Sequence, residues 1–293
     1  MALILIVFLI CLFLTLIFFA LRKPQSKIST TTQPSTPSLP SPFSQSDINK
    51  ALTFQKHLLP KTPPTFAQLE LASTYQPAQY LSGDFYDFFS FSDHCLGILI
   101  ADVAGKGLPA ALVMTLALTH FRHLAPTHSS PSALLKEMNR RLNADCCDNL
   151  FITACYAIVD IKNNSLTIAR AGHEIPLHYN STQATLTPIE SPGMALGIDK
   201  GERFDRLIQD SVITLQSGDS VTFFTDGVNE TQNNNEEEFG MERLKQSIET
   251  IEKNGPKTGH AQFLLENIIK KIKHYRDSAL PTDDLTLITL YVT

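Results

Sequence analysis

The stretch over residues 81–114 constrains the possible folds of this chain more than any other feature. It contains two strand-like segments, followed by a glycine-rich turn and a helix. Aromatic residues dominate the first segment and aliphatic residues the second, with a short turn at Ser92-Asp93-His94 between them. If the segments pair as an antiparallel hairpin, Asp84 before the first and Asp102 after the second lie at one end of the sheet. Two acids at a buried sheet edge repel each other unless a proton or a cation lies between them.

A phosphate-binding geometry is predicted directly after Asp102. The turn Gly105-Lys106-Gly107 is followed by Pro109, which suits the first turn of a helix, and by an apolar helical run from Ala110 to Leu118. A glycine turn beside a helix N-terminus suits a phosphate, and the carboxylates suit a hard cation. The segment is not a nucleotide P-loop, because the GxxxxGK[ST] spacing is absent. Either acid alone could equally be a turn former or a helix cap.

Further acids at strand edges strengthen the prediction of a metal site. Asp226 directly follows an apolar strand over residues 221–224, and Asp283-Asp284 immediately precede a strand of alternating Leu, Thr and Ile. No Cys or His partner stands near them in the sequence. Oxygen-only, carboxylate-rich sites favour magnesium or manganese over zinc or copper.

Five blocks of sequence, in this order, resemble the SpoIIE-like and RsbU-like branch of the metal-dependent (PPM) serine/threonine protein phosphatases: GDFYDFF, DVAGKGLPAALVM, AGHEIPLHY, TDGVNET followed by EEEFGMERL, and DDLTLITL. The resemblance extends from about Asp47 to the C-terminus. It implies an α+β fold, an α-β-β-α sandwich whose two central sheets carry two Mn²⁺ or Mg²⁺ ions. Ser82 and Glu174 stand where this family usually has Gly and Asn, and neither departure removes a matched metal ligand.

The resemblance also implies roles for individual residues. Four aspartates would be the catalytic, metal-holding side chains, the backbone carbonyl of Val103 would complete one metal site, and Asp284 would be a further, neighbouring ligand. The four aspartates are Asp84, Asp102, Asp226 and Asp283.

The activity implied by the resemblance is hydrolysis of phosphoserine or phosphothreonine on a regulatory protein, typically a STAS-type anti-sigma-factor antagonist, by metal-activated water. The alternative is a non-catalytic, membrane-tethered module of the same fold that only binds a partner. The complete set of aspartates argues against that alternative, because a degenerate scaffold has no need of them.

The N-terminal segment predicts a transmembrane helix. Residues 1–21 are almost unbroken apolar residues, long enough to cross a bilayer, and Arg22-Lys23 favour a cytoplasmic location for the rest of the chain. The competing interpretation is a cleaved signal peptide and hence a secreted hydrolase. The sequence argues against it, because no basic residue precedes the apolar run and no A-x-A-like site follows it. Residues 22–46 are rich in Ser, Thr and Pro and predict a flexible linker.

We expect the phosphatase-like domain to span residues 47–293 and to begin with a helix over 47–59. Ser46 or Asp47 is its candidate N-cap, and its role is either packing at the domain edge or, as the family suggests, regulatory switching. Further predicted elements are a helix from Ser130-Pro131 to about Asn143, a hairpin around residues 162–165, and helices over 240–253 and 260–275.

Composition excludes several other functions. A formal net charge of −5 without a basic patch gives no reason to expect nucleic-acid binding. The five cysteines show no metal or redox spacing, which is compatible with a reducing cytosol.

His173 is expected to be a structural hydrogen-bonding residue or to lie at the active-site rim. The sequence leaves open whether the chain forms a homodimer.

Overall fold

The computed structural model describes residues 44–145 and 150–293. Within them the α-helices are α1 (Gln45–Leu58), α2 (Leu108–Leu124), α3 (Pro131–Asp145), α4 (Glu202–Leu207), α5 (Gly240–Glu252) and α6 (His260–Arg276). The strands are β1 (Leu69–Gln76), β2 (Phe85–Ser92), β3 (Cys95–Val103), β4 (Ile152–Asp160), β5 (Ser165–Ala171), β6 (Leu177–Asn180), β7 (Thr185–Pro188), β8 (Ser211–Thr214), β9 (Ser220–Phe224) and β10 (Leu285–Val292).

The strands form two antiparallel sheets. One has the order β1-β10-β9-β6-β7 and the other the order β2-β3-β4-β5-β8. Helices α2 and α3 pack on the second sheet, and α5 and α6 pack on the first. The predicted α+β sandwich of two sheets between two helical layers is therefore confirmed.

Strand β10 shows how the layers are held together. Ile288, Leu290 and Val292 face the core between the two sheets, whereas Leu285 and Leu287 face the apolar cluster beneath α5 and α6. All eight residues of the strand are buried. Burial on both faces explains why its sequence is apolar along most of its length, since each face needs its own apolar residues.

Helix α1 begins earlier than the sequence predicted. Its N-cap is Ser44, not Ser46 or Asp47, because Ser44 and Asp47 form a capping box: the Asp47 backbone N–H donates to Ser44 Oγ at 3.2 Å and the Ser44 N–H donates to Asp47 Oδ2 at 3.2 Å. The last residues of the predicted linker, 45 and 46, are thus helical.

The predicted anchor over residues 1–21, and the predicted linker up to residue 43, lie outside the described residues. Among residues 44–145 and 150–293 no helix is both long and apolar enough to cross a bilayer.

Other predicted boundaries differ from the observed ones by a few residues, and some of the observed elements were not predicted from the sequence. Helix α3 continues two residues beyond the predicted end, to Asp145. Strands β6, β7 and β8 and helix α4 were not predicted. Each of these elements has only four to six residues, which is too short for a clear apolar periodicity.

A buried ion pair fastens α6 to α5. His260 Nε2 lies 2.7 Å from Glu252 Oε2, and His260 Nδ1 lies 2.8 Å from the Pro256 carbonyl oxygen. Because both ring nitrogens face acceptors, both carry a proton and the imidazole is cationic. The side chains are 5% and 1% exposed. Ser220 Oγ also donates to Glu252, which links the pair to β9.

The ion pair predicts a pH-dependent stability. Burial lowers the pKa of His260, but the hydrogen bond and charge of Glu252 outweigh this and raise it above its usual value. The stabilisation is therefore fully present below about pH 6.5, the usual unfolded pKa, and is lost as the pH rises through the folded pKa. Glu70 and Tyr291 also face the ring.

We expect His260→Ala to lower the free energy of unfolding by roughly 3 kcal/mol at pH 6, because it leaves Glu252 buried without a partner. Urea unfolding between pH 5.5 and 8.5 is the measurement. The variant should also lose the decline of stability with rising pH. An equal slope in wild type and variant would contradict the assignment, and His274→Ala, at the far end of α6, is the matched control.

Candidate metal centre

The predicted hairpin places the first two acids side by side. Strands β2 and β3 pair antiparallel with Phe85 opposite Ala101, so Asp84 and Asp102 extend from the same end of the ladder. The turn falls at Asp93-His94, as predicted. Asp84 is 1% exposed, and Asp102 is half-buried.

Asp84 is fixed by two hydroxyl groups of the opposite sheet. Thr225 Oγ1 donates to Asp84 Oδ2 at 2.8 Å, and Thr286 Oγ1 donates to the same oxygen at 2.6 Å. Thr225 follows β9 and Thr286 lies in β10, and the Thr286 N–H donates to Thr225 Oγ1 at 3.0 Å. A hydroxyl group has one proton to donate, and both threonines donate theirs to the same carboxylate oxygen, Asp84 Oδ2. This arrangement favours the ionised form of Asp84 and leaves its Oδ1 without a threonine donor.

Asp226, Asp283 and Asp284 reach the same end of the molecule from β9 and β10. Asp226 follows Thr225, and Asp283-Asp284 precede β10. The two segments touch through their backbones: a Cβ on Gly227 would lie 1.9 Å from the Asp284 carbonyl oxygen. Asp226 and Asp283 are half-buried, like Asp102.

Asp284 has partners of its own. Its Oδ1 accepts the Ala78 N–H at 2.8 Å and its Oδ2 accepts the Gly83 N–H at 3.1 Å. Both carboxylate oxygens thus already fix the backbone before β2. Asp283, by contrast, directs Oδ2 towards a side chain, Lys106.

Gly83 leaves room for a backbone carbonyl beside the acids. A Cβ at this position would lie 2.8 Å from the Val103 carbonyl oxygen and 3.2 Å from Asp102 Oδ1. The first distance is shorter than real Cβ contacts, so a side chain here would displace the two oxygen donors. The absence of a side chain therefore keeps Val103 and Asp102 next to the residue that precedes Asp84.

The acids raise one another's pKa. Burial raises the pKa of Asp84 well above its usual value, and Asp102 adds to the effect. Burial, Asp226 and Asp283 together raise the pKa of Asp102 to about 7. Burial and Asp283 likewise raise the pKa of Asp226. Such mutual destabilisation of the charged forms is what a bound cation would relieve.

The donors fit a hard divalent cation. They are carboxylate and carbonyl oxygens with no thiolate or imidazole among them, the set that Mg²⁺ and Mn²⁺ prefer. Within residues 44–145 and 150–293, no three Asp, Glu, His or Cys side chains are drawn together as a closed metal cage.

Helix α1 contacts the segment before Asp84 through one buried side chain, Gln55. Gln55 Nε2 donates to the Ser82 carbonyl oxygen at 2.8 Å, and the Ser82 N–H donates to Gln55 Oε1 at 3.2 Å. Ser82 Oγ in turn accepts the Asp84 N–H at 3.0 Å. The helix is therefore bonded to the segment that carries Asp84, which fits both the packing and the switching interpretations.

His173 lies behind the acids and not among them. It is buried, and its Nδ1 lies 2.8 Å from Thr153 Oγ1, in the residue opposite Asp102 on β4. Burial and the nearby Arg170 lower its pKa to about 3, so the imidazole is neutral. Burial and the charge of Asp226 raise the pKa of Glu174, the next residue along the chain.

The structure thus brings all the predicted acids, Asp84, Asp102, Asp226, Asp283 and Asp284, and the Val103 carbonyl to one end of the two sheets. Sequence reasoning missed the supporting residues Thr225 and Thr286, and it missed the contacts of Gln55 with Ser82 and of Lys106 with Asp283. The two threonines lie inside the blocks TDGVNET and DDLTLITL, whose resemblance could have pointed to them.

Comparison with known proteins agrees with this geometry. Residues 92–293, more than half of the chain, match the family model of Stage II sporulation protein E (SpoIIE). Phosphoserine phosphatase RsbU of Bacillus subtilis is 33% identical over 248 residues, a match that covers 84% of this chain and 70% of RsbU. Phosphoserine phosphatase RsbP of the same organism is 26% identical, and the match covers 62% of this chain and 45% of RsbP.

Solved structures show the same fold. The SiaA-PP2C domain of Pseudomonas aeruginosa superposes with a TM-score of 0.72 at 19% identity, covering 85% of this chain and 96% of that domain. The phosphatase domain of Bacillus subtilis SpoIIE, with a fragment of its regulatory domain, gives a TM-score of 0.65 at 16% identity, covering 78% of this chain and 64% of the other. The chain therefore belongs to the SpoIIE family, in the RsbU-like branch of the metal-dependent serine/threonine protein phosphatases.

Proposed function

We propose that this chain hydrolyses phosphoserine or phosphothreonine on a regulatory protein with the help of two Mn²⁺ or Mg²⁺ ions. The observation that carries the proposal is the convergence of Asp84, Asp102, Asp226 and Asp283 at one end of the two sheets. Burial and neighbouring acids raise the pKa values of Asp84, Asp102 and Asp226. A scaffold that only bound a partner would gain nothing from this costly clustering of charge.

Each residue has a proposed part. Asp84 offers a metal ion the oxygen that its threonines leave unused, while Asp102 and the Val103 carbonyl oxygen lie beside it across Gly83. Asp226 and Asp283 close the site from the other sheet. Asp284 anchors the backbone before β2 and is a ligand only through its remaining lone pairs. When bound, the two ions supply a water of lowered pKa as nucleophile and neutralise charge on the phosphoryl oxygens.

A cysteine nucleophile is disfavoured by the environment of the two described cysteines. Burial raises the pKa of Cys95 and of Cys155 above the usual value, so neither thiol forms a reactive thiolate at neutral pH. Burial of Cys155 within β4 also denies it contact with a substrate. Direct attack by water is therefore the mechanism that we propose.

The substrate proposal rests on the relatives. RsbU and RsbP are named phosphoserine phosphatases, and we infer that this chain acts on a phosphorylated STAS-type antagonist. The chain spans less than half of the length of RsbP and of Protein IcfG of Synechocystis, so their further segments supply no argument here.

We also propose the arrangement around the catalytic domain: a membrane anchor over residues 1–21, a linker over 22–46 that ends in the first turn of α1, and a cytoplasmic domain over 47–293. Support comes from the unbroken apolar run and from Arg22-Lys23 after it. The contact of Gln55 with Ser82 would let a movement of α1 reach Asp84.

For the anchor, the full chain should sediment with membranes and be released by detergent but not by high salt or alkaline carbonate. A chain that begins at residue 44 should stay in the supernatant, because it lacks the apolar run. Fractionation with immunoblotting is the measurement. Recovery of a shortened chain outside the cell would favour the signal peptide and overturn the anchor.

For the activity, the purified chain should release phosphate from a synthetic phosphoserine peptide only with Mn²⁺ or Mg²⁺, and chelator should stop the reaction. A phosphorylated STAS-type protein should be dephosphorylated faster than the peptide. Release that persists in chelator would contradict the proposal, and binding of the phosphoprotein without hydrolysis would favour the partner-binding alternative.

Asp84→Asn and Asp226→Asn should lower kcat/KM on the order of 10³-fold, since metal-ion catalysis supplies several kcal/mol of the barrier reduction. Thermal unfolding should show that both variants remain folded. Asp93→Asn, in the exposed β2–β3 turn at the other end of the hairpin, is the matched control. Unchanged turnover in Asp84→Asn would refute its role.

Thr286→Val should weaken Mn²⁺ binding about 10- to 100-fold, the usual effect of removing a group that orients a metal ligand. Isothermal titration calorimetry without substrate is the measurement, and Thr286→Ser should restore most of the affinity. The control is Thr289→Val on the same strand, whose hydroxyl donates to the Ala261 carbonyl at 2.8 Å instead. Equal Mn²⁺ affinity in both valine variants would contradict the orienting role.

A further inference from the structure

Lys106, in the glycine turn between β3 and α2, is bonded to the acidic cluster. Its Nζ lies 2.8 Å from Asp283 Oδ2 and donates to the Thr282 carbonyl oxygen at 2.7 Å. Among the ion pairs of the described residues, this is the one that reaches any of the predicted metal ligands. The ammonium group of Lys106 thus already contacts a carboxylate oxygen that is predicted to bind a metal ion.

Two arginines of the described residues are bonded to the fold instead. Arg170 Nε donates to the Ser191 carbonyl oxygen at 3.1 Å, and its Nη1 donates to the His173 carbonyl oxygen. Arg122 is paired with Asp87 and with the Leu58 carbonyl oxygen. Neither can turn to a substrate without breaking bonds that hold buried backbone or a buried carboxylate.

Lys106, in contrast, is free to move. Its side chain is 46% exposed, and Asp283 is 34% exposed, so the pair is a surface ion pair that is easily exchanged. The flanking Gly105 and Gly107 have φ angles of +98° and +72°, and a Cβ on either glycine would have no neighbouring atom within 4 Å. Open space around the turn and a long, flexible side chain allow the ammonium group to leave Asp283 while staying beside the cluster.

We propose that Lys106 alternates between two partners: Asp283 before metal is bound, and a phosphoryl oxygen of the substrate afterwards. The inference rests on the proposed function and adds the residue that recognises the phosphate. A cation that takes Asp283 displaces the ammonium group by competition for the same oxygen. The displaced group remains at the mouth of the site, where a dianionic phosphoryl group needs a donor besides the metal ions.

Two measurements on the same variants test the two halves of the proposal. In Lys106→Met, calorimetric titration without substrate should show tighter Mn²⁺ binding than in wild type, because the competing ammonium group is gone. At saturating Mn²⁺, KM for a phosphoserine peptide should rise about tenfold or more, the loss expected for one charged hydrogen bond. Lys106→Arg should keep KM within a few-fold of wild type, since it retains the positive donor.

The matched control is Lys162→Met in the β4–β5 turn, which lies at the opposite end of the sheet from Asp102. Unchanged KM in Lys106→Met would overturn phosphate recognition, and unchanged Mn²⁺ affinity would overturn the competition. If wild type itself released no phosphate with Mn²⁺, the proposed function would fail together with phosphate recognition. The calorimetric comparison would then still decide the competition for Asp283, because it needs no turnover.

Discussion

The proposed metal centre of this molecule depends on one contact between its two sheets, the pair of hydroxyl bonds from Thr225 and Thr286 to Asp84. A carboxylate with so little exposure would normally take up a proton, and these bonds oppose that by favouring the charged form. They also tie the proposed metal site to the relative position of the sheets, since Asp84 precedes β2 of one sheet, whereas Thr225 follows β9 and Thr286 lies in β10 of the other. Core packing and ligand geometry are therefore coupled in this fold.

Sequence alone predicted the parts of the site that follow from local rules. The β2–β3 hairpin could be predicted because aromatic and aliphatic runs flank a short polar turn, and antiparallel pairing then forces Asp84 and Asp102 to the same end. Asp226 and Asp283 could be predicted as candidates because each adjoins a strongly apolar strand. That they meet the first two acids followed from the family resemblance, since the arrangement of β9 and β10 in the other sheet has no local signal.

The supporting contacts could not be predicted from local pattern. Thr225 and Thr286 read as ordinary strand residues, and their bonds to Asp84 span 141 and 202 positions of sequence. Gln55 lies in the predicted first helix, but neither its burial, at 3% exposure, nor its bonds to Ser82 follow from the local pattern. Lys106 was assigned to a phosphate-binding turn. Its pairing with Asp283 depends on the path of the loop between α6 and β10, which has no local signal in the sequence.

The position of β10 has a consequence for biosynthesis. This strand comes after all the others in chain order, yet it lies between β1 and β9 and carries Thr286, with Asp283 and Asp284 just before it. Its sheet stays split into two pieces until the ribosome has released that segment, and Asp84 has only one of its two hydroxyl donors until then. The proposed metal centre therefore needs β10 to be inserted between β1 and β9 before its residues can come together.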